Sequence, residues 1–259
     1  MAPGPRAPLR LYLAGNVSLE RADVLVPERR LPGRQGRLTF TLLAAERGRA
    51  LSHDEIAEVV WNGAPPRAWE TALRAIMSKL RGVIAEAGMD DDAAIENAFG
   101  CYQLRLAPDA WVDLEAASEA IHQAESDLRS GDIPAANGGA LVANAIARRP
   151  FLAGEEGEWV ERIRARLRDV RARALRCRGE IAIGNHDATL AIHDAEQAIE
   201  LERFTEAGYQ LLMRAHALAG NPARALLVYE QLRTLLAEEV GADPSAATEA
   251  VYLRILRSD

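Results

Sequence analysis

Residues 67–88 read RAWETALRAIMSKLRGVIAEAG. Trp69, Leu73, Ile76, Leu80, Val83, Ile84 and Ala87 recur at steps of three and four, the period of a helix with one buried face. At about 100° per residue, Arg67, Thr71, Arg74, Ser78 and Arg81 gather on the opposite side, with Lys79 next to Ser78. A helix that is dry on one side and carries arginines and hydroxyls on the other suits the major groove of double-stranded DNA. Arginine reaches phosphates and guanine edges there, and Ser or Thr adds either kind of contact. Taken alone, the stripe also fits an ordinary surface helix with solvated arginines. The flanking sequence separates the two readings.

Upstream, Leu9-Arg10-Leu11-Tyr12-Leu13 alternates as a strand does, followed by a turn at Gly15-Asn16, a strand at Val17-Ser18-Leu19 and a short one at Val24-Leu25-Val26. Leu31-Pro32-Gly33 opens a helix from about Arg34 to Arg47, with Leu38, Leu42, Leu43 and Ala45 as its apolar side. Ser52-His53-Asp54-Glu55 is a capping box and starts a short helix through Ile56, Val59, Val60 and Trp61. Asn62-Gly63-Ala64-Pro65-Pro66 breaks it before the long helix, which Gly88 ends. Ala94–Asn97 and Cys101–Leu106, joined by a turn at Phe99-Gly100, form a hairpin. Strands, three helices and a hairpin, in that order, make a winged helix-turn-helix whose third helix enters the major groove.

Beyond Ala107-Pro108-Asp109 only helices are expected: Trp111–Leu128, Pro134–Arg148 and Glu155–Ile183. His186–Ile192 then aligns with Gly220–Leu226, 34 residues on, and matches Ala191 to Ala225, Glu196 to Glu230 and Gln197 to Gln231. Thirty-four residues holding two helices is the tetratricopeptide period. A last helix after Asp243-Pro244 caps the stack. The fold class is therefore mainly α with a small β component. Residues 1–8 are a flexible tail, 9–107 a winged-helix domain, and 108–259 an all-α, tetratricopeptide-like helical-repeat domain.

The 259 residues are 49% apolar and 27% charged, a globular composition, with aromatics at only 5%. The net charge of −7 argues against indiscriminate coating of nucleic acid. It is also uneven: residues 1–107 carry +1 and residues 108–259 carry −8. Lys79 is the only lysine, and the arginine bias reads as a GC-rich genome. The two cysteines, Cys101 and Cys177, read as small buried apolar residues in a reducing compartment. No signal peptide or membrane-length apolar run is visible, so the expected location is cytoplasmic.

Chemistry is not expected. His53, His122, His186, His193 and His216 fall in no metal-ligand spacing. Gly33-Arg34-Gln35-Gly36 lacks the ending of a phosphate loop, and there is no nucleophile elbow. Glu155-Glu156 and Glu238-Glu239 read as acidic helix surface. No catalytic residue, metal or cofactor is therefore expected, and the chain is not read as an enzyme.

Leu51–Trp61, the Pro-Pro loop, Ser78-Lys79-Leu80-Arg81 and Gly100–Leu104 resemble, in order and spacing, the effector domain of OmpR/PhoB-type regulators. The version they look like is that of the Streptomyces antibiotic regulatory protein (SARP) family. Trp111-Val112-Asp113-Leu114 and Glu238–Ser245 resemble the bacterial transcriptional activation domain that follows it there. The family segment Ser-Arg-Leu-Arg-Arg reads Ser78-Lys79-Leu80-Arg81-Gly82 here, and the wing carries Glu96 where arginines are common in relatives.

The resemblance implies a DNA-binding transcriptional activator that binds direct repeats as a homo-oligomer. It would recruit RNA polymerase partly through the Asn62–Arg67 loop. Arg67, Thr71, Arg74, Ser78, Lys79 and Arg81 are the expected DNA-binding residues, Arg74 and Ser78 nearest the bases and Lys79 and Arg81 more on phosphates. Arg34, Arg37 and the amino end of the helix at Ser52 are expected near backbone phosphates. With eight residues ahead of Leu9, no receiver domain is expected and the chain reads as a small stand-alone member. Gly82 and Glu96 motivate a second reading, a helical-repeat adaptor whose winged domain has lost useful DNA affinity.

Overall fold

The structure, a computed structural model, describes residues 7–257. Through residue 6 the expected tail lies outside them. The chain folds into two compact units. One is built from the chain up to Ala116 with Arg149–Ala165, the other from Ala117–Arg148 and the chain from Arg166 on.

The first unit opens with β1 (Arg10–Tyr12), β2 (Ser18–Arg21) and β3 (Val24–Val26). Leu9, Leu11 and Leu13 are buried while Arg10 is exposed, the alternation of a strand with one face on a core. β1 pairs antiparallel with β2, and β2 with β3. On its other edge β1 runs parallel to β7 (Trp111–Val112), giving the order β3-β2-β1-β7. The sequence reading starts a helix at Trp111. The helix α4 (Asp113–Ser130) begins two residues later because the first two pair with β1.

The helices of this unit are α1 (Gly33–Ala45), α2 (His53–Val60) and α3 (Trp69–Glu86). Leu38, Phe40, Leu43, Ile56, Leu73, Met77 and Leu80 from these helices are fully buried. Each contributes about 1.5–3 kcal/mol relative to exposure. The capping box of α2 is present in full. Ser52 Oγ accepts from the Glu55 amide at 3.1 Å, and Glu55 Oε2 accepts from the Ser52 amide at 2.8 Å. At the other end of α3 a Schellman turn closes the helix at Gly88 (φ 64°), with the Met89 amide on the Ile84 carbonyl and Met89 buried.

The wing is β5 (Ala93–Ala98) and β6 (Cys101–Leu106), with the two-residue β4 (Leu51–Ser52) on the far side of β6. Cys101 is only half-buried, which corrects its reading as a core residue, whereas Cys177 is buried. Burial pushes the Cys177 thiol up to about 11, which keeps it protonated and unreactive.

The second unit is helical: most of α4, then α5 (Ile133–Ala147), most of α6 (Glu158–Gly184), α7 (Ala188–Leu201), α8 (Glu206–Leu218), α9 (Pro222–Glu239) and α10 (Ala246–Leu256). The 34-residue register holds: Ala191 on α7 and Ala225 on α9 are both fully buried. Small residues bring the backbones together. A Cβ on Gly208 would meet Ile199 Cγ1 at 2.9 Å, so no larger residue fits there without movement.

Arg173 on α6 grips Glu125 on α4 with two bonds, 2.8 and 2.7 Å. That bond holds the Glu125 carboxyl below the ordinary value of 4.5, against the opposing pull of desolvation. A carboxylate lowered in this way stabilises the fold above the unfolded value and loses its contribution as pH falls through the folded one. Urea unfolding should therefore separate wild type from Glu125→Gln by about 1 kcal/mol at pH 7, a figure reduced for the partial exposure of both partners. The gap should narrow as pH falls below 4.5 and close once it has passed the folded-state value.

Candidate nucleic-acid interface

The outer side of α3 follows from its sequence spacing. With Leu73, Ile76, Met77, Leu80 and Ile84 fixed in the core, Thr71, Arg74, Ser78, Lys79 and Arg81 face outward, and all five are exposed. Arg67 is exposed too but lies outside the helix, a correction to its expected place in the first turn. The Trp69 amide bonds the Pro66 carbonyl at 3.0 Å, and Ala68 at φ −102°, ψ 28° is not helical, so Arg67 sits in the turn between.

The six residues divide by what already holds them. Among the described residues, Arg67 and Lys79 have no carboxylate within ion-pair distance. Arg74 Nη2 lies 3.6 Å from Glu70 Oε2, one turn back on the same outward side, and both side chains are 64% exposed. Such a pair contributes a few tenths of a kcal/mol. A bidentate arginine–guanine contact is worth about 1–3 kcal/mol, so the pair opens readily in its favour.

Arg81 differs. Its Nε and Nη2 both donate to the Ile95 carbonyl on β5, at 3.0 and 2.9 Å, and its guanidinium stands over the Tyr102 ring at 5.9 Å. It ties α3 to the wing, and a contact with phosphate would have to break two bonds. Gly82, where the family pattern has arginine, has open space around the site of a Cβ.

The wing's carboxylate is neutralised. Glu96 Oε2 accepts from Arg105 Nε at 3.0 Å across the hairpin. At the hairpin's end Phe99 (φ 54°) and Gly100 (φ 73°) make a two-residue connection, and Phe99 is 104% exposed. A bulky residue in the left-handed region costs about 1–2 kcal/mol.

Two expected phosphate contacts are overturned. Arg37 and Arg34 bind Glu155, whose side chain is 1% exposed: Arg37 Nη2 lies 2.5 Å from one oxygen and Arg34 Nη2 2.6 Å from the other. Arg37 also holds Glu28 at 3.0 Å. Glu155 is thus a buried loop residue ahead of α6 and not acidic helix surface. The amino end of α2 is closed as well. The Glu55 carboxylate already caps it and pairs with Arg49 at 2.8 Å, so an anion there would meet like charge. These bonds, Ser52's first and Arg49's next, hold the Glu55 carboxyl below its ordinary value.

Sequence reasoning also passed over Asp113. Its carboxylate is buried at the start of α4 and accepts the Leu13 and Ala14 amides at 2.9 and 3.0 Å, tying the end of β1 in place. Burial pushes its carboxyl up, against the lowering effect of those bonds. The signal for it was the Trp-Val-Asp-Leu run alone.

The family described as the bacterial transcriptional activator domain matches residues 112–256. The chain belongs to this family. Preceded by a winged unit, the activator domain stands in the order of the SARP family, as the resemblance implied.

Similar proteins include the regulatory protein AfsR of Streptomyces coelicolor, 28% identical over 225 residues, which cover 87% of this chain and 22% of AfsR. The transcriptional regulatory protein EmbR of Mycobacterium tuberculosis is 26% identical over 229 residues, 85% of this chain and 57% of EmbR. The chain thus spans about a fifth of the first relative and little more than half of the second. The solved structure of M. tuberculosis EmbR in complex with a low-affinity phosphopeptide shares the fold, with a TM-score of 0.84 at 23% identity over 98% of this chain and 66% of that one. Among the described residues there is no cluster of potential metal ligands, and no helix is long and apolar enough to cross a membrane.

Proposed function

We propose that this activator-domain protein is a sequence-specific DNA-binding regulator, acting in the cytoplasm without catalysis. The observation that carries the reading is the outer face of α3: Thr71, Arg74, Ser78 and Lys79 stand exposed on a rigid helix whose other side is fixed in the core. Arg74 and Ser78 read base edges, Lys79 and Arg67 neutralise phosphates, and Arg81 holds the wing against the helix. The regulatory names of its relatives support the reading. Activation follows by recruitment of RNA polymerase. The exposed loop of Asn62–Arg67 is the expected point of contact, and protomers sit side by side on direct repeats.

Selection of bound duplexes from a random double-stranded library, followed by hydroxyl-radical footprinting of the winner, tests this reading. The expected result is a repeated motif with two protected stretches on one side of the duplex. No enrichment over successive rounds at low salt would leave the adaptor reading in its place.

A further inference from the structure

Phe99 sits where neither folding nor packing calls for it. It is the most exposed large hydrophobic side chain among the described residues. Phe99 and Gly100 both have positive φ and join the paired residues Ala98 and Cys101. Two-residue turns of this kind favour Asn or Asp at the first position, which Phe99 occupies, and a bulky aromatic is an outlier there. Residues held in sparsely populated backbone conformations gather at functional sites.

The tip is also well placed and uncharged. Strand β5 beneath it is bound to α3 through the Arg81–Ile95 contact, which holds the hairpin against the helix four residues below the tip. Arg105 answers the charge of Glu96, and Asn97, Ala98, Phe99 and Gly100 are neutral and exposed. Nothing at the tip repels phosphate.

We propose that Phe99 is a minor-groove wedge. Its ring enters the groove beside the segment faced by α3, leans on deoxyribose and partly unstacks one base step, kinking the duplex. Apolar side chains act in this way in proteins that bend DNA. Pyrimidine–purine steps unstack most easily, so the bound site should carry TA or CA at that position. The inference rests on the DNA-binding reading above. A hydrophobic pocket on a partner protein is the other occupant such a ring could have.

The test is Phe99→Asn in the full chain, beside Arg74→Ala, on the selected duplex. Asparagine fits the turn, so thermal unfolding of Phe99→Asn should occur at or above the wild-type temperature. A clear fall instead would contradict the turn argument and count against the proposal.

Phe99→Asn should bind about tenfold more weakly, with the salt dependence of affinity unchanged because no phosphate contact is lost. Energy transfer between dyes at the duplex ends should report less bending, and 2-aminopurine at the wedged step should lose its fluorescence gain. If Phe99→Asn binds and bends DNA like wild type while Arg74→Ala binds weakly, the wedge is wrong and the role of α3 stands. The wedge is wrong in favour of a protein contact if DNA binding is intact and only promoter activation is lost. If neither wild type nor variant retards DNA, both readings fall together.

Discussion

Alanine at Arg74 is expected to weaken binding to the selected duplex about ten- to a hundredfold, the range for one arginine–base contact. The loss should be greatest on the preferred sequence and small on random DNA, because only base readout distinguishes the two. Lys79→Ala should behave differently. It should lower affinity by a similar factor on every sequence and reduce the slope of log affinity against log salt by about 1, the mark of a phosphate contact. Freeing Arg74 from its neighbour by Glu70→Gln should strengthen binding slightly, since the pair at 3.6 Å is weak. Fluorescence anisotropy on matched and scrambled duplexes measures all three. Equal losses for Arg74→Ala on both duplexes would remove it from base readout.

Asp113→Ala is the largest expected loss of stability. It strands the Leu13 and Ala14 amides in a buried place, each at a cost of about 1–3 kcal/mol, so roughly 3 kcal/mol in all. Asp113→Asn keeps one acceptor but turns an amide donor toward the second N–H, and should fall between the two. The loss should show in denaturant unfolding followed by circular dichroism. A change under about 0.5 kcal/mol for Asp113→Ala would mean that solvent reaches those amides on unfolding of β1 alone.

What the sequence made legible was whatever is written locally. The capping box at Ser52 and Glu55, the turn at Phe99-Gly100, the stop at Gly88 and the buried stripe of α3 each depend on residues a few positions apart, and all four stand in the structure. The 34-residue repeat was legible because it restates one packing problem twice. The features that went unseen join residues distant in the chain. β7 is two residues long and owes its existence to β1, some hundred positions away. Glu155 reads as surface acid until Arg34 and Arg37 are folded against it, and Arg81 reads as a DNA contact until the Ile95 carbonyl claims it. Charged side chains are where periodicity says least. Burial fixes an apolar residue's direction, but a guanidinium goes to whichever acceptor the tertiary fold presents.

That limit bears on the interface itself. Of the cations sequence pattern assigned to phosphate or base, Arg34, Arg37 and Arg81 are engaged within the protein, and Arg67, Arg74 and Lys79 remain to meet DNA. Three cations are enough for specific binding if the duplex is also read at base edges, and too few for strong binding to any sequence, in keeping with a net charge of −7.

The most direct measurement is the affinity of the full chain for its selected duplex across a series of salt concentrations. A straight line of log affinity against log salt is expected, with a slope of about −2 per protomer, roughly one unit for each of the phosphate-neutralising Arg67 and Lys79. Alanine at Arg67, Arg74 and Lys79 together should abolish binding without altering the unfolding midpoint. A flat line, or full binding by the triple variant, would contradict DNA binding through the outer face of α3.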